Sequence, residues 1–436
     1  MPEPTTFLAE GGFVDDRWVA GVRYDVDEHG TIVRAGARTE LPSPPALRIR
    51  DFGRAMVLPG MVDVHSHAFQ RAIRGATQRR AVNDPTSFWS WRSAMYDAAM
   101  RLTPDEVYAI TRLAFAEMLR AGITCVGEFH YLHHRPDGVP YDDPNELGWQ
   151  IVRAAEDTGI RLVLLDVFYA RAGAGRPALP EQRRFCDRDA DSYLARVDAL
   201  RSRGVTVGIA PHSVRAVGRD DLRTLVDYAR KHDLPLQMHV SEQPRENDEC
   251  LAEHGCTPME LVAEIGGLAR PRSFTAVHAV HTSDRDRDLL ADQSVCACPT
   301  TEADLGDGIL GAGPLAARGC NLALGSDSNA VIDLVQEARL LEMGERLRTG
   351  TRLCLRTAER DVANVLVDIA ANGGALALGR SELGRLTVGR QFDAAIVGLG
   401  HPFFAGIDPE RAADAMFTSG TAQPVEHVVI GGHERA

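Results

Sequence analysis

The chain has 436 residues, of which 44% are hydrophobic, and its formal net charge is −13 at pH 7. A chain of this length can bury a large core, either in two or three domains or in one barrel of ~250 residues with an appended domain. The acidic balance argues against a nucleic-acid partner, and it repels an acidic small molecule unless arginines are placed locally to bind it.

The sequence carries no signal for secretion or membrane insertion. Its N-terminus has acidic residues and no basic region before an apolar stretch, and no run of eighteen apolar residues occurs. We therefore predict a cytoplasmic protein without a membrane partner. The eight cysteines are too dispersed for a disulfide framework, and we expect Cys296 and Cys298, the closest pair, to pack in the core as thiols.

Short strand-like segments at the two ends of the chain bracket a different central pattern. We predict that residues 1–58 and 379–436 pair into one small β-sandwich domain. Between them, apolar β-branched runs alternate with amphipathic helical stretches, as in βα units around a parallel sheet. Eight such runs predict an α/β fold with a (β/α)8 TIM-type barrel over residues 59–378. The candidate strands are VLPGMVDVH, TCVGEFHY, RLVLLDVFY, VTVGIAPH, PLQMHVSE, FTAVHAVH, SVCACPTT and LALGSDSN.

The connections between these runs also carry signals. Thr103, Pro104 and Glu106 form a capping box with proline at the first helical position, and Gly122 is predicted to end that helix. Residues 70–100 make an unusually long first connection. Long loops at the C-terminal rim of a barrel carry binding residues and lids, so we expect this segment to contribute to the site.

The end of the first barrel strand holds two histidines, His65 and His67, whose spacing puts both imidazoles on the same side of the chain. Such a pair alone is weak evidence for a metal. However, His239, His278 and Asp327 end the fifth, sixth and eighth candidate strands, and strand ends in a barrel meet at the active-site face. Three imidazoles and a carboxylate suit zinc, with iron as an alternative.

Other residues near these strand ends have competing interpretations. Glu242 follows His239 by three residues, which suits an unligated general acid or base, although a solvated loop carboxylate is the more ordinary interpretation. His278 taken alone suits a hydrogen-bonded core histidine. Taken together at one rim, the residues favour a zinc hydrolase. We leave out the histidines of EFHYLHH, because a loop rich in histidine needs no metal to explain it; these are His130, His133 and His134.

Four motifs, LPGMVDVHSH, HVSE, FTAVHAVH and GSDSN, resemble the amidohydrolase superfamily, and the resemblance covers nearly the whole chain. It implies a barrel with a small β domain. Lys231, the only lysine, lies before the fifth strand, which disfavours the lysine-bridged two-metal centre of some members. The mononuclear branch is favoured instead, with one Zn²⁺ per chain and Fe²⁺ as the alternative. The implied ligands are His65, His67, His239 and Asp327.

Longer motifs resemble the formimidoylglutamate deiminase branch of that superfamily: HSHAFQRAIRG, SFWSWRSAMY, EFHYLHHRPDG, APHSVRAV and CPTTEADLGDG. This resemblance implies hydrolysis of N-formimino-L-glutamate to N-formyl-L-glutamate and ammonia in histidine degradation, by a homodimer. Two arginines could bind the two carboxylates of such a substrate in a bidentate manner. Taken alone, however, Arg92 and Arg215 would be interpreted as surface residues. The implied substrate-binding residues are Gln70, Arg92, Tyr131, His212 and Arg215.

A hypothesis for the reaction gives catalytic roles to three residues. Asp327 would take a proton from the attacking water, His278 would orient that water, and Glu242 would carry a proton to the departing nitrogen. Two alternatives remain open. A purine or pyrimidine deaminase would share the metal site but needs an aromatic slot, which Phe88, Trp89 and Trp91 can supply. A catalytically inactive barrel with a binding role is the other.

Overall fold

The computed structural model describes residues 3–43, 48–78, 88–420 and 424–435. Its strands, in chain order, are β1 (Thr5–Leu8), β2 (Gly11–Val14), β3 (Arg17–Ala20), β4 (Val22–Val26), β5 (Ile32–Ala37), β6 (Arg48–Asp51), β7 (Ala55–Pro59), β8 (Met61–Ser66), β9 (Ile123–His130), β10 (Arg161–Phe168), β11 (Arg171–Gly173), β12 (Arg176–Pro177), β13 (Val207–Pro211), β14 (Leu236–Val240), β15 (Phe274–His278), β16 (Ser294–Ala297), β17 (Asn321–Leu324), β18 (Ala394–Gly398), β19 (Val425–Ile430) and β20 (His433–Arg435).

The helices lie mainly between the central strands. In chain order they are α1 (Phe88–Ala99), α2 (Pro104–Arg120), α3 (Glu146–Thr158), α4 (Ala190–Ser202), α5 (Arg219–His232), α6 (Pro244–His254), α7 (Pro258–Glu264), α8 (Asp284–Leu289), α9 (Pro299–Leu305), α10 (Ala312–Ala316), α11 (Leu334–Thr349), α12 (Val362–Asp368), α13 (Gly374–Ala377) and α14 (Ala412–Thr418). Short 3₁₀ turns occur at Ala68–Ile73, Pro180–Gln182, Pro402–Phe404 and Pro409–Arg411, and a π-helical turn at Ile369–Gly373.

Eight parallel strands form the central barrel in the order β8, β9, β10, β13, β14, β15, β16 and β17, and a parallel bridge between Ser66 and Asp327 brings its first and last strands together. The predicted strands occur in the predicted order, so the predicted fold class is confirmed. The first candidate strand is divided, because residues 57–59 belong to β7, outside the barrel, and residues 61–65 belong to β8. The strands are apolar because helices cover the outside and side chains fill the inside. Closure requires Gly325, since a Cβ there would lie 2.7 Å from the carbonyl oxygen of His65.

The two ends of the chain form two further sheets beside the barrel. One has the order β5-β4-β1-β6, and the other has the order β20-β19-β18-β7-β2-β3. Strand β18, from the C-terminal part, pairs antiparallel with β7, from the N-terminal part, as predicted. The rings of Phe7 and Tyr24 pack against Phe392 at centroid distances of 4.5 and 5.1 Å. The domain boundaries after residues 58 and 378 stay predictions.

Two sets of hydrogen bonds hold the chain around the end of α1 and the start of α2, beside the mouth of the barrel. Helix α2 begins with the predicted capping box, because Thr103 N–H donates to Glu106 Oε2 at 2.8 Å and Glu106 N–H donates to Thr103 Oγ1 at 3.3 Å. Such a cap contributes about 1 kcal/mol. Arg184 is fully buried and donates to the carbonyls of Ala99, the last residue of α1, of Leu102 and of His134. These bonds tie α1 to loops at the rim.

Two other predictions concern the whole chain. All eight cysteines are free thiols, and Cys296 and Cys298 are both buried, as expected of core residues. In the part of the chain that the structure describes, no helix combines the length and the apolar character needed to cross a membrane. The predicted long first connection, residues 70–100, lies only partly within the described residues, because residues 79–87 are outside them.

Candidate active site

A cavity of about 530 Å³ opens at the C-terminal end of the barrel. Of the ligand, catalytic and substrate-binding residues implied by the resemblance, all but His65 line it, and the His65 side chain is fully buried. The cavity therefore brings together side chains from α1, from the segment after β8, and from the ends of β9, β13, β14, β15 and β17. The selected residues that line it are His67, Gln70, Arg92, Tyr131, His212, Arg215, His239, Glu242, His278 and Asp327.

Four side chains at the floor of the cavity fit a metal site. The ligand atoms of His65, His67, His239 and Asp327 all lie within 4.8 Å of one another, and all four residues are buried. The Nε2 atoms of His65 and His67 are 3.1 Å apart, and they lie 3.6 and 3.3 Å from Asp327 Oδ1. Three imidazoles and one carboxylate form a donor set that zinc accepts.

The outer nitrogens of these histidines fix their tautomers. His65 Nδ1 is 2.6 Å from Gln237 Oε1, whose orientation is set because Gln237 Nε2 donates to the carbonyl of Val64. His67 Nδ1 and His239 Nδ1 lie 3.0 and 2.9 Å from backbone carbonyls, which only accept. Each Nδ1 must therefore carry the proton, so in the neutral imidazole each Nε2 presents a lone pair to the others. Converging lone pairs beside a carboxylate suit a cation.

Burial keeps two of these rings in the neutral form that a metal needs. It lowers the pKa of His67 to about 3, with the neighbouring His65 lowering it further. It also lowers the pKa of His239 well below the ordinary value, together with the facing histidines, beginning with His212. Neutral imidazoles bind metals without first losing a proton.

Several residues at the ends of the strands adopt left-handed backbone conformations. Ser241, His278 and Asp327 have φ angles of 50°, 70° and 46°, which non-glycine residues adopt only when their surroundings impose it. The turn after Asp327 is held by Asn329, whose Nδ2 donates to Ser66 Oγ at 3.0 Å and to the carbonyl of Asp327 at 3.2 Å. This network aims the Asp327 carboxylate at the imidazoles.

Glu242 and His278 lie beside the metal-binding cluster. His278 Nε2 is 3.9 Å from Glu242 Oε1 and 3.7 Å from Asp327 Oδ2, so the imidazole stands between the two carboxylates. Its Nδ1 is 3.4 Å from Oε1 of Glu302, a buried carboxylate at the start of α9. Burial opposes the charged imidazole, but the hydrogen bond to Glu302 and the other carboxylates raise the pKa of His278 well above its ordinary value.

Arg215 lies at the edge of the cavity between two carboxylates, and its side chain is 11% exposed. Its Nη2 lies 3.3 Å from Glu242 Oε2, and its Nε lies 3.1 Å from Glu246 Oε2. Glu246 is completely buried and accepts a further bond from the Ser241 N–H at 2.9 Å. The arginine that the sequence could have placed on the surface is therefore an interior residue, and it contacts Glu242 directly.

Arg92 reaches the cavity from α1. Its Nε donates to Tyr96 Oη at 2.5 Å, its Nη2 lies 3.3 Å from Tyr169 Oη, and its guanidinium lies over the Tyr96 ring. Gln182 Nε2 donates to the same two hydroxyl groups at 3.0 and 2.7 Å. The sequence analysis missed Tyr96 and Tyr169. Tyr96 carried a usable signal, because it follows Arg92 by four residues and so shares its helix face.

The remaining selected residues form the rest of the wall. Gln70 Nε2 donates to Tyr131 Oη at 2.9 Å, which joins the segment after β8 to the segment after β9. The His212 ring lies 4.8 Å from that of His239, and its Nδ1 is 3.1 Å from Ser213 Oγ. Other residues that the sequence analysis did not select, Met95, Phe185 and Leu305, also line the cavity.

The structure also locates the loop histidines that we excluded as metal ligands, and one of the three aromatic residues of the alternative function. His133 and His134 are buried and hydrogen-bond to the carbonyls of Val167 and Cys186. Neither they nor His130 belong to a metal-binding cluster among the described residues. Trp91 lines the cavity, whereas the side chains of Phe88 and Trp89 lie outside the described part of the structure.

A second cavity of about 800 Å³ adjoins the first and shares Arg92, Tyr96 and Arg215 with it. Arg176 and Arg245 extend its wall, and both contact Glu249, at 3.1 and 2.8 Å. Four arginines, Arg92, Arg176, Arg215 and Arg245, therefore line this adjoining cavity together with Glu181 and Glu249.

Comparison with known proteins gives the family. The model of the amidohydrolase family matches residues 56–435. The chain is 37% identical to formimidoylglutamate deiminase of Pseudomonas aeruginosa, over 98% of this chain and 94% of that protein. It is 30% identical to 8-oxoguanine deaminase of the same organism, over 93% of this chain and 88% of that protein.

A solved structure agrees with this assignment. The crystal structure of an amidohydrolase from Brucella melitensis superimposes with a TM-score of 0.89 at 33% identity, covering 99% of this chain and 94% of that one. A family match over most of the chain, with a cluster that fits a metal at the C-terminal end of the barrel, leaves one conclusion. The chain belongs to the amidohydrolase family and is a hydrolase that acts on C–N bonds.

Proposed function

We propose that this enzyme is a zinc-dependent deiminase that hydrolyses N-formimino-L-glutamate to N-formyl-L-glutamate and ammonia in histidine degradation. The observation that carries the proposal is one cavity in which the metal-binding cluster faces two arginines, Arg92 and Arg215. A linear amidine with two carboxylates needs both features. The homodimer implied by the resemblance and the cytoplasmic location predicted from the sequence belong to the same proposal.

Two further observations support an anionic substrate. The relative with 37% identity is named formimidoylglutamate deiminase. The adjoining cavity also adds Arg176 and Arg245, which share Glu249, so its lining has four arginines against two glutamates. Local positive potential of this kind raises the encounter rate of an anion with a protein whose net charge is −13.

The proposed metal is one Zn²⁺ per chain, with Fe²⁺ as the alternative. His65, His67, His239 and Asp327 would hold it. When bound, the ion supplies Lewis-acid chemistry that makes water a better nucleophile near neutral pH.

The side chains of the protein would then orient the attacking water and transfer its protons. Asp327 takes a proton from the attacking water, and His278 Nε2, held through Nδ1 by Glu302, orients the water oxygen toward the formimino carbon. Addition of water gives a tetrahedral carbon that bears one oxygen and two nitrogens. Glu242 relays to the terminal nitrogen the proton that Asp327 took from the water, and then the proton of the new hydroxyl group. The bond between that nitrogen and the carbon breaks as the carbonyl forms, and ammonia leaves. The formyl group stays on glutamate.

The remaining residues would position the substrate. Arg92 and Arg215 bind the carboxylates, while Gln70, Tyr131 and His212 contact the body of the substrate and the formimino group. Anchoring both carboxylates decides which nitrogen faces Glu242, so binding at one end of the molecule sets the product at the other.

A deaminase of a purine or pyrimidine ring is the second candidate. The relative with 30% identity is named 8-oxoguanine deaminase, and Trp91, Tyr131 and Phe185 give the cavity aromatic surface. A neutral ring has no use for two buried or half-buried arginines, which is why we rank this function second.

The metal site yields a prediction about Gln237. We expect Gln237→Met to weaken zinc binding by about 10- to 100-fold, because residues that orient a metal-binding imidazole contribute by that amount. Met fills a similar volume but cannot accept from His65 Nδ1. Competition with a chelator measures the affinity. Gln150→Met, at a partly buried glutamine of α3 bonded to Glu146, is the matched control. Equal zinc affinity in the two variants would contradict this role.

The test of the function is identification of the products. Zinc-loaded enzyme incubated with N-formimino-L-glutamate is expected to give ammonia and N-formyl-L-glutamate in equal amounts by proton NMR, and chelated enzyme is expected to give neither. Release of glutamate with formamide would mean that the other C–N bond breaks, and the proposed roles of Glu242 and the arginines would then be wrong.

A further inference from the structure

Tyr96 and Tyr169 are linked to the same two donors. Arg92 and Gln182 each donate to both phenol oxygens. The orientation of the Gln182 amide is not arbitrary, because its Oε1 accepts the N–H of Leu179 at 2.8 Å, which leaves Nε2 to face the phenols. The guanidinium N–H groups can only donate. Four N–H groups therefore point at two oxygens.

This arrangement leaves at least one phenol proton without an acceptor inside the cluster. Each phenol oxygen already accepts two bonds, so its own O–H must donate elsewhere. Tyr169 and Tyr96 also lie within hydrogen-bonding range of each other. If one phenol donates to the other, one O–H proton still remains. Among the residues that the structure describes, no other group accepts a hydrogen bond from this O–H, although both tyrosines are buried.

The cavity is the place where an acceptor can sit. Both tyrosines line it, and Tyr169 lies close enough to Arg92 and Arg215 for both guanidiniums to act on its phenol. A donor that is itself bonded to a cation is polarised and binds anions more strongly. The acceptor that suits this position is therefore an anion rather than a neutral carbonyl.

We propose that the hydroxyl groups of Tyr96 and Tyr169 bind a carboxylate of the substrate, and that with Arg92 they form a carboxylate-binding group that Gln182 holds in position. This inference rests on the proposed dicarboxylate substrate. It assigns substrate contact to two residues from different parts of the rim: Tyr96 from α1, and Tyr169 from the residue directly after β10. Gln182, from the turn Pro180–Gln182, is a positioning residue.

The test uses Tyr96→Phe and Tyr169→Phe in the zinc-loaded enzyme. Each is expected to raise KM for formiminoglutamate by about 10- to 100-fold, the effect of losing a hydrogen bond to a charged group, with a smaller change in kcat. Tyr108→Phe removes a hydroxyl that donates to Asp157 on the surface, and it is expected to leave KM unchanged. Zinc content checks that the metal site is intact.

A second substrate separates binding from mere support of the fold. Two analogues of formiminoglutamate, each with one carboxylate replaced by hydrogen, are compared in wild type and variants. If the phenols bind a carboxylate, the loss of the hydroxyl and the loss of that carboxylate are not additive. On the analogue that lacks this carboxylate, the Phe variants should therefore have nearly the same KM as wild type. Equal penalties on all three substrates would mean that the phenols only support the structure, which would overturn the proposal.

Binding of glutarate, measured by calorimetry, distinguishes failure of this inference from failure of the proposed function. If wild type turns over formiminoglutamate but the Phe variants keep its KM and its Kd for glutarate, only this inference fails. If wild type lacks the turnover but binds glutarate, with about 10-fold weaker binding in the Phe variants, the carboxylate-binding group stands and the reaction is wrong. If wild type shows neither turnover nor binding, both fail.

Discussion

Glu242→Gln is expected to lower kcat for formiminoglutamate by about 10²- to 10⁴-fold, the contribution of a positioned general acid or base. Glutamine keeps the size of the side chain and can still accept from Arg215 Nη2, which lies 3.3 Å from the carboxylate. It cannot release a proton to the departing nitrogen. Because Glu242 is outside the proposed ligand set, zinc content should stay at one ion per chain.

Ammonia release measured at fixed times gives kcat, and metal analysis gives the zinc content. Glu264→Gln is the control, since that carboxylate forms a surface ion pair with Arg219 far from the chemistry. Turnover close to wild type in Glu242→Gln would remove this residue from the mechanism. Loss of zinc along with activity would instead point to a role in holding the metal.

Replacement of either cavity arginine with methionine should chiefly weaken substrate binding. Removing one partner of a buried charge pair costs about 2 to 5 kcal/mol, which corresponds to roughly 30-fold or more in KM. Arg92→Met is the variant to measure first, because Arg92 donates to the phenols of Tyr96 and Tyr169 at the cavity wall. Arg153→Met, at an exposed arginine stacked on Tyr108, is the control. An unchanged KM in Arg92→Met would contradict the carboxylate clamp.

Arg215→Met should have a second effect, because it leaves Glu246 buried without its guanidinium partner. Burial already raises the pKa of Glu246, and Arg215 opposes that rise, so the carboxyl group should take up a proton in the variant. Breaking a buried pair lowers the free energy of unfolding by about 3 to 5 kcal/mol. Adding Glu246→Gln should recover part of this loss without restoring KM. Recovery of both would mean that Arg215 acts only through the fold.

The sequence predicts the barrel well because a strand buried on both faces must be apolar throughout, and because strand ends in a barrel lie at one rim. Histidines two residues apart at the end of β8, together with His239 and Asp327 near later strand ends, could therefore be brought together without coordinates. The pairing of β7 with β18 followed from the same argument about strand-like segments that need a partner.

Contacts between loops could not be predicted in this way. Tyr169 and Gln182 meet Arg92 only because three separate segments fold over the mouth, and no periodicity relates them. Glu302 faces His278 because the chain turns into α9 directly after β16. The left-handed backbone at His278 and Asp327 is likewise imposed by neighbours, since local preference disfavours it for these residues.

The most direct test of the proposed function is kcat/KM for ammonia release by zinc-loaded enzyme with formiminoglutamate, formiminoaspartate, and a panel of purines and pyrimidines that includes 8-oxoguanine. We predict turnover of formiminoglutamate with a kcat/KM above that of every ring substrate. Preferential turnover of a ring would keep the metal-binding cluster but contradict the binding of two carboxylates by Arg92 and Arg215.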